Sequence, residues 1–303
     1  MPMSMNRRQV LLAAGAALLG PASLGRVLAA PRRAAAKKVL FFTKSSGFQH
    51  SVIARKGESP ALAERVLSEI GKEHGFEVVA SKDGRLFEPD KIGEWDAFAF
   101  ETTGDLTKAG TDKAPPISPD GLKAFLDAIE GGKGFVGIHC ATDTFGKHRG
   151  MGADDPYTRM IGGHFAGHDA PQVATIEVAD PGFPGVSGFG TGSFRLDDEW
   201  YSQKFLGDDL HVILVQQTKG MKGKNYQRPS YPETWARMQG KGRVFYTSMG
   251  HREEVWENPR FQGLLLGALG WATGQADVDV APNISKVTPE YKMMNNAEAK
   301  KAG

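Results

Sequence analysis

The sequence contains one cysteine, Cys140, among 303 residues. An internal disulfide is therefore excluded, and stability has to come from a packed core, for which the chain is long enough. Beyond the N-terminal segment no run approaches the roughly 20 apolar residues that cross a bilayer. There is no internal repeat. No Gly-x-Gly-x-x-Gly follows the first apolar strand, and Ser45-Ser46-Gly47 is a poor substitute, which argues against a dinucleotide cofactor and a redox role. Excess charge is lacking too. The formal balance is +2. Residues 1–29 hold Arg7, Arg8 and Arg26 and no acid, which leaves 34 basic against 35 acidic residues, or −1, in the rest. Such a surface offers no electrostatic case for nucleic acid.

The N-terminus reads as a targeting segment. Two adjacent arginines, Arg7 and Arg8, precede a short apolar run from Val10 to Leu19. Small residues follow, and Val27-Leu28-Ala29 offers a cleavage site. The paired arginines resemble a twin-arginine signal, which exports folded proteins. The expected organisation is a signal over 1–29, a linker over 30–37, one domain over 38–275 and a polar tail over 276–303, in a periplasmic or secreted protein. An uncleaved anchor is the alternative. The tail either drapes over the domain or is loose.

Lys38-Val39-Leu40-Phe41-Phe42-Thr43 reads as a buried strand. Ser59-Pro60 is expected to open a helix, with Ser59 as N-cap and a stripe of Leu62, Val66, Leu67 and Ile70. Strands follow at Phe76–Ala80 and Trp95–Glu101. Ser118-Pro119 starts a second helix carrying Leu122, Phe125, Leu126 and Ile129, and Gly131-Gly132 stops it. Gly134 to His139 is the next strand. Strand and helix alternating in this way predict an α/β fold with a doubly wound, mainly parallel sheet. The second half is richer in strands (172–178, 211–217, 234–238, 243–249) and closes with an apolar helix over 261–272. Residues 107–117 and 218–231 read as surface loops.

Ligands of open parallel sheets bind beyond the carboxyl ends of the strands. Four strands deliver polar groups there: Ser45 to His50; Thr102-Thr103-Gly104-Asp105; His139-Cys140-Ala141-Thr142-Asp143-Thr144; and Gly250-His251. Between them lie Gly162-Gly163-His164-Phe165-Ala166-Gly167-His168 and Asp197-Asp198-Glu199-Trp200-Tyr201. An acid beside aromatic faces suits a sugar, whose apolar faces stack on rings while its hydroxyls donate to carboxylates.

These segments, with Gly131–His139 and Gly242-Arg243-Val244-Phe245-Tyr246, resemble the trehalose-utilisation (ThuA-like) family, in family order from about residue 38 to 273. The resemblance implies a class I glutamine amidotransferase-like, flavodoxin-like fold. It also implies a role in the use of trehalose, related disaccharides and their 3-keto forms. It supplies no mechanism. Amidotransferases of this fold carry a cysteine nucleophile in a Gly-x-Cys-x-Gly elbow. Here Gly137-Ile138-His139-Cys140-Ala141 puts histidine in that slot and Cys140 one residue late, so Cys140 is not expected to act as nucleophile and reads as a small hydrophobe.

The candidate catalytic residues are His139, Glu199, His251 and His50. In one chemistry His139 and His251, with or without His50, bind a divalent metal such as zinc. In the other, histidine and glutamate alone exchange protons with the sugar. Asp105, Asp143, His164, His168, Trp200 and Tyr201 are candidate substrate-binding residues. Asp143 is alternatively a helix cap, and Glu199 a loop anchor. His164 and His168, four apart, would share a metal on a helix, although Gly167 argues against one. His74, His148 and His211 read as surface or core residues. The partner expected is a carbohydrate small molecule, handled by an enzyme on plain or oxidised glycosides or by a non-catalytic sugar-binding accessory protein. No oligomeric state is legible.

Overall fold

The computed structural model describes residues 36–111 and 113–295. The signal over 1–29 and most of the linker lie outside the described residues, and the first strand, β1, already begins within the expected linker, at Lys37–Phe42. There follow α1 (Leu62–Glu73), β2 (Phe76–Ser81), β3 (Ala97–Phe100), α2 (Pro119–Glu130), β4 (Gly134–Ile138), α3 (Pro156–Ile161) and β5 (His164–Gly167). The second half contains β6 (Gln172–Val178), β7 (Ser193–Asp198), β8 (Ser202–Lys204), β9 (His211–Gln217), β10 (Tyr231–Gln239) and β11 (Gly242–Thr247). Helices α4 (Glu253–Trp256), α5 (Pro259–Ala272) and α6 (Ile284–Val287) complete it.

A nine-stranded sheet runs in the order β2-β1-β3-β4-β11-β10-β9-β6-β7, and β5 pairs with β8 in a separate ribbon. The pairings from β2 to β11 are all parallel, and those from β11 to β7 all antiparallel. Only β10 and β6 therefore oppose the other strands of the sheet, so the fold is mixed α/β around a large, mostly parallel sheet. The parallel part is covered on both faces, as its continuous apolar runs require. Val39 and Phe41 pack with α1, α4 and α5, whereas Leu40 and Phe42 pack on the side of α2 and α3.

Two helix starts show how local sequence sets the fold. Ser118 caps α2 by accepting from the Gly121 amide at 2.9 Å, with Pro119 in the first turn. The expected cap at Ser59 is not used. Ser59 pairs with Lys56 in a short bridge and α1 begins at Leu62. Its preceding residue, Ala61, has no side-chain acceptor, so Glu64 folds back and accepts from the Ala61 amide at 2.9 Å. The strand expected over 95–101 contracts to Ala97–Phe100. The C-terminal tail packs back on the sheet between Asn283 and Tyr291. Asn283 exchanges hydrogen bonds with both backbone groups of Val212, and Ile284 and Tyr291 are buried.

Two buried carboxylates fix the loops that leave the sheet. Glu64 accepts from Thr43 at 2.6 Å, just past β1, and from Arg55 at 2.8 Å, in the segment after His50. Glu233 on β10 accepts from Thr247, from the Ser248 amide and hydroxyl, and from the Met249 amide, and also pairs with Thr234. It therefore holds the chain where β11 ends. Burial pushes the Glu233 carboxyl up despite these donors. Burial would raise Glu64 as well, but hydrogen bonds from Arg55, Thr43 and Ala61 outweigh it and hold this carboxyl below its ordinary range.

Two outcomes are expected. Glu233→Ala strands buried amides and should cost about 3 kcal/mol, a fall in Tm of roughly 6–12 °C measurable by scanning calorimetry. Glu64→Gln should cost about 1–3 kcal/mol at neutral pH. Because the folded pKa of Glu64 is depressed, its contribution is present above the unfolded value of about 4.3 and is lost as pH falls through the folded value. The gap between wild type and Glu64→Gln in urea denaturation should therefore shrink at acid pH.

Candidate functional site

The parallel strands deliver their polar exits to one place. A pocket of about 160 Å³ is lined by Phe48, His50, Thr103, Asp143, Phe165, His168, Glu199, Tyr201 and His251. His139 stands at its floor, fully buried, with φ +42°. That left-handed value is uncommon for a residue with a Cβ and belongs to a tight turn between β4 and the 3-10 segment that follows. The turn puts His139 beside the pocket and Cys140 in the interior, where burial pushes its thiol well up.

The rings of His50, His139 and His251 lie about 5 Å from one another, with centroid separations of 4.9, 5.2 and 5.3 Å. Glu199 enters this group from the end of β7. Its Oε2 lies 3.3 Å from His251 Nδ1 and 3.6 Å from His139 Nε2, and its Oε1 lies 3.0 Å from His168 Nδ1. Ligand atoms of His50, His139, Glu199 and His251 all fall within 4.8 Å of one another.

The charge balance of the cluster follows from its hydrogen bonds. His139 Nδ1 lies 2.7 Å from the Ser248 carbonyl, so this nitrogen bears a hydrogen and Nε2 is the atom turned toward Glu199. Nε2 of His139 and Nδ1 of His50 are buried with no hydrogen-bond partner, and His251 Nδ1 has the 3.3 Å approach of Glu199. Burial, together with the neighbouring His139 and His251, lowers the His50 pKa to about 2, so that ring is neutral. Burial disfavours ionised Glu199, but His139 and His251 outweigh it and hold the carboxyl below its usual range. Glu199 in turn raises His251 against the lowering effect of burial. A largely buried carboxylate among imidazoles is stable only with positive charge among them. One proton serves one nitrogen; a divalent cation serves the three nitrogens and the carboxylate together.

Asp198 supports this arrangement from behind. It accepts from the Gly250 amide at 2.8 Å, the Arg252 amide at 3.1 Å and the Glu199 amide at 3.0 Å, tying the two segments that carry His251 and Glu199. Asp143 lies at the mouth and is ion-paired with Lys147 at 2.7 Å and His148 at 3.1 Å. Tyr201 packs on His139 at 4.3 Å and on Phe165 at 4.1 Å.

Three expected site residues lie elsewhere. Asp105 accepts from the amide and hydroxyl of Thr107 and closes its own turn. Trp200 is fully buried and donates to the Gln172 carbonyl in the core. His164 is buried beside Gly146 and Thr158, outside the pocket. It shares no helix with His168, because β5 begins at His164. Conversely, Phe48, Thr103, Phe165 and the supporting Glu233 were not singled out from the sequence. The signal for Glu233 is a lone acid inside an otherwise core-like strand. A larger cleft of about 420 Å³ lies around Gln49, Arg55, Lys82 and Pro115, but its cations are engaged: Arg55 with Glu64, and Lys82 with the Thr43 and Ile53 carbonyls.

Comparison with known proteins agrees with this architecture. A ThuA-like protein of Bacteroides uniformis superposes with a TM-score of 0.56 at 21% identity, covering 80% of this chain and 94% of that one. A ThuA-like protein of Parabacteroides merdae gives 0.58 at 17% identity, covering 85% and 99%. At these identities the likeness concerns the fold alone. No curated protein matches the chain. The family model for ThuA, trehalose utilisation, matches residues 38–272, and the chain belongs to that family.

Proposed function

We propose that this pocket carries out metal-assisted chemistry on a sugar of the trehalose type or its 3-keto derivative. The observation that carries this reading is the meeting of three imidazoles and one carboxylate whose ligand atoms all lie within 4.8 Å of one another. His50, His139, His251 and Glu199 would hold a divalent cation such as zinc, with Ser248 and Asp198 orienting the ligand residues from behind. When bound, the cation would polarise a sugar carbonyl or activate water.

The chain's own groups supply the rest. His168 Nδ1 faces two acceptors, Glu199 at 3.0 Å and the Asp169 carbonyl at 3.1 Å. It therefore bears the hydrogen, which leaves Nε2 as a proton acceptor at the pocket mouth. On a 3-keto glycoside that nitrogen takes the C2 proton beside the ketone. The electron pair forms the C1–C2 double bond, the glycosidic C1–O bond breaks, and the departing oxygen receives a proton returned from the protonated His168 through water. Asp143 accepts hydroxyl hydrogen bonds at the mouth, and Tyr201 offers part of the apolar wall. In the same reading the fold is doubly wound and flavodoxin-like, supported by the parallel order β2-β1-β3-β4-β11, helices on both faces and a site at the strands' carboxyl ends. Export through Arg7 and Arg8 belongs to it too.

The purified protein is expected to contain close to one divalent cation per chain by elemental analysis, and His139→Ala to lose it. An added zinc salt that neither binds nor raises Tm would reject the metal site. His168→Ala should retain metal and lower kcat on 3-keto-trehalose by about 10²–10⁴, followed by NMR. No turnover across several keto-glycosides, with sugar binding preserved, would favour an accessory sugar-binding protein instead. Replacing both Arg7 and Arg8 with lysine should leave the protein in the cytoplasmic fraction; unchanged export would remove the twin-arginine assignment.

A further inference from the structure

Phe48 is the most exposed large apolar side chain among the described residues, at 69%, and it lines the site pocket. An exposed phenyl elsewhere on a surface needs no explanation. This one sits on a rigid base. The Phe48 carbonyl accepts from Thr103 Oγ1 at 2.6 Å, and the Ser46 amide donates to the Thr103 carbonyl at 2.8 Å. Gly104, with φ +82°, lets the two strand exits touch; a Cβ there would lie 2.7 Å from the Ser46 carbonyl carbon. The phenyl meets the His50 ring at 84° with centroids 5.0 Å apart. Phe48 is thus a fixed aromatic surface facing solvent, one ring away from the histidine cluster.

Size gives this surface a purpose. Pockets that enclose a drug-sized ligand run from about 300 Å³ upward. The site pocket holds about 160 Å³. A single small ring fits inside it, and the remainder of a larger substrate has to lie across the mouth, where Phe48 is. The apolar face of a pyranose packs on such a ring while its hydroxyls stay in water.

We infer that Phe48 forms an outer subsite that stacks the second ring of a two-ring glycoside, so that the site favours disaccharides over the corresponding monosaccharides. The inference rests on the carbohydrate reading given above. Calorimetric titration of the metal-loaded full chain with trehalose, 3-keto-trehalose, glucose and 3-keto-glucose tests it. Wild type should bind the disaccharide of a pair more tightly. In Phe48→Ala the ratio of disaccharide to monosaccharide affinity should fall roughly 3- to 10-fold, and Phe48→Tyr should restore it. Metal content, measured in parallel, reports that the inner site is intact. An unchanged ratio in Phe48→Ala, or a wild type that does not discriminate between the paired sugars, overturns the subsite while leaving the carbohydrate reading in place. A wild type that binds none of the four sugars overturns both.

Discussion

The hydrogen bond from His139 Nδ1 to the Ser248 carbonyl is the contact on which the site depends. It joins the end of β4 to the end of β11 and decides which ring nitrogen faces Glu199. The carbonyl is itself fixed, because Glu233 grips the Ser248 amide and hydroxyl and the Met249 amide. A chain of buried groups thus runs from the middle of the sheet to the pocket floor: Glu233 sets Ser248, Ser248 sets His139, and His139 confronts Glu199. Burial works against both carboxylates, raising Glu233 and opposing the ionisation of Glu199. Structures tolerate such groups only where their partners are complete. Glu233 has its full complement of donors. The cluster around Glu199 does not, since His139 Nε2 and His50 Nδ1 are left without hydrogen-bond partners.

The two halves of the sheet contribute differently. The parallel half brings His50, His139 and His251 out at strand ends, where side-chain position follows from topology. The antiparallel half supplies the counter-charge. Glu199 comes from the end of β7, the far edge of the sheet, and Phe165 and His168 come from the β5 ribbon and the residue just after it. The cationic tendency of His251 is a consequence of this meeting, whereas His50 is neutral because burial and the neighbouring His139 and His251 outweigh Glu199.

Much of this was legible in the sequence, and the misses share a cause. The strand-end histidines follow from the alternation of strand and helix, and the β4 turn from its glycine and small residues. Period two in the connecting segments was the neglected signal. Glu199 and Tyr201 line the pocket while Trp200, between them, turns into the core. Phe48 and His50 line it while Gln49 lines a different cleft. Phe165 enters it while His164 is buried on the other side. In an extended segment adjacent side chains point opposite ways, so Trp200 and His164 are excluded by the same geometry that admits their neighbours. Asp105 fails for another reason: a short acid after a Gly turn satisfies its own backbone first.

The one-residue register at the β4 turn carries the same lesson into the chemistry. The positive φ at His139 directs that side chain to the pocket floor and leaves Cys140 enclosed, with its thiol held protonated by burial. A thiolate nucleophile needs access and a stabilising partner, and Cys140 has neither. The position that does face the pocket holds an imidazole whose outer nitrogen is turned toward Glu199. Moving the sulfur one step along the chain therefore changes what the turn offers, from an exposed thiol to one ring of a cluster of three histidines and a carboxylate. The surrounding sheet need not change to accommodate that difference.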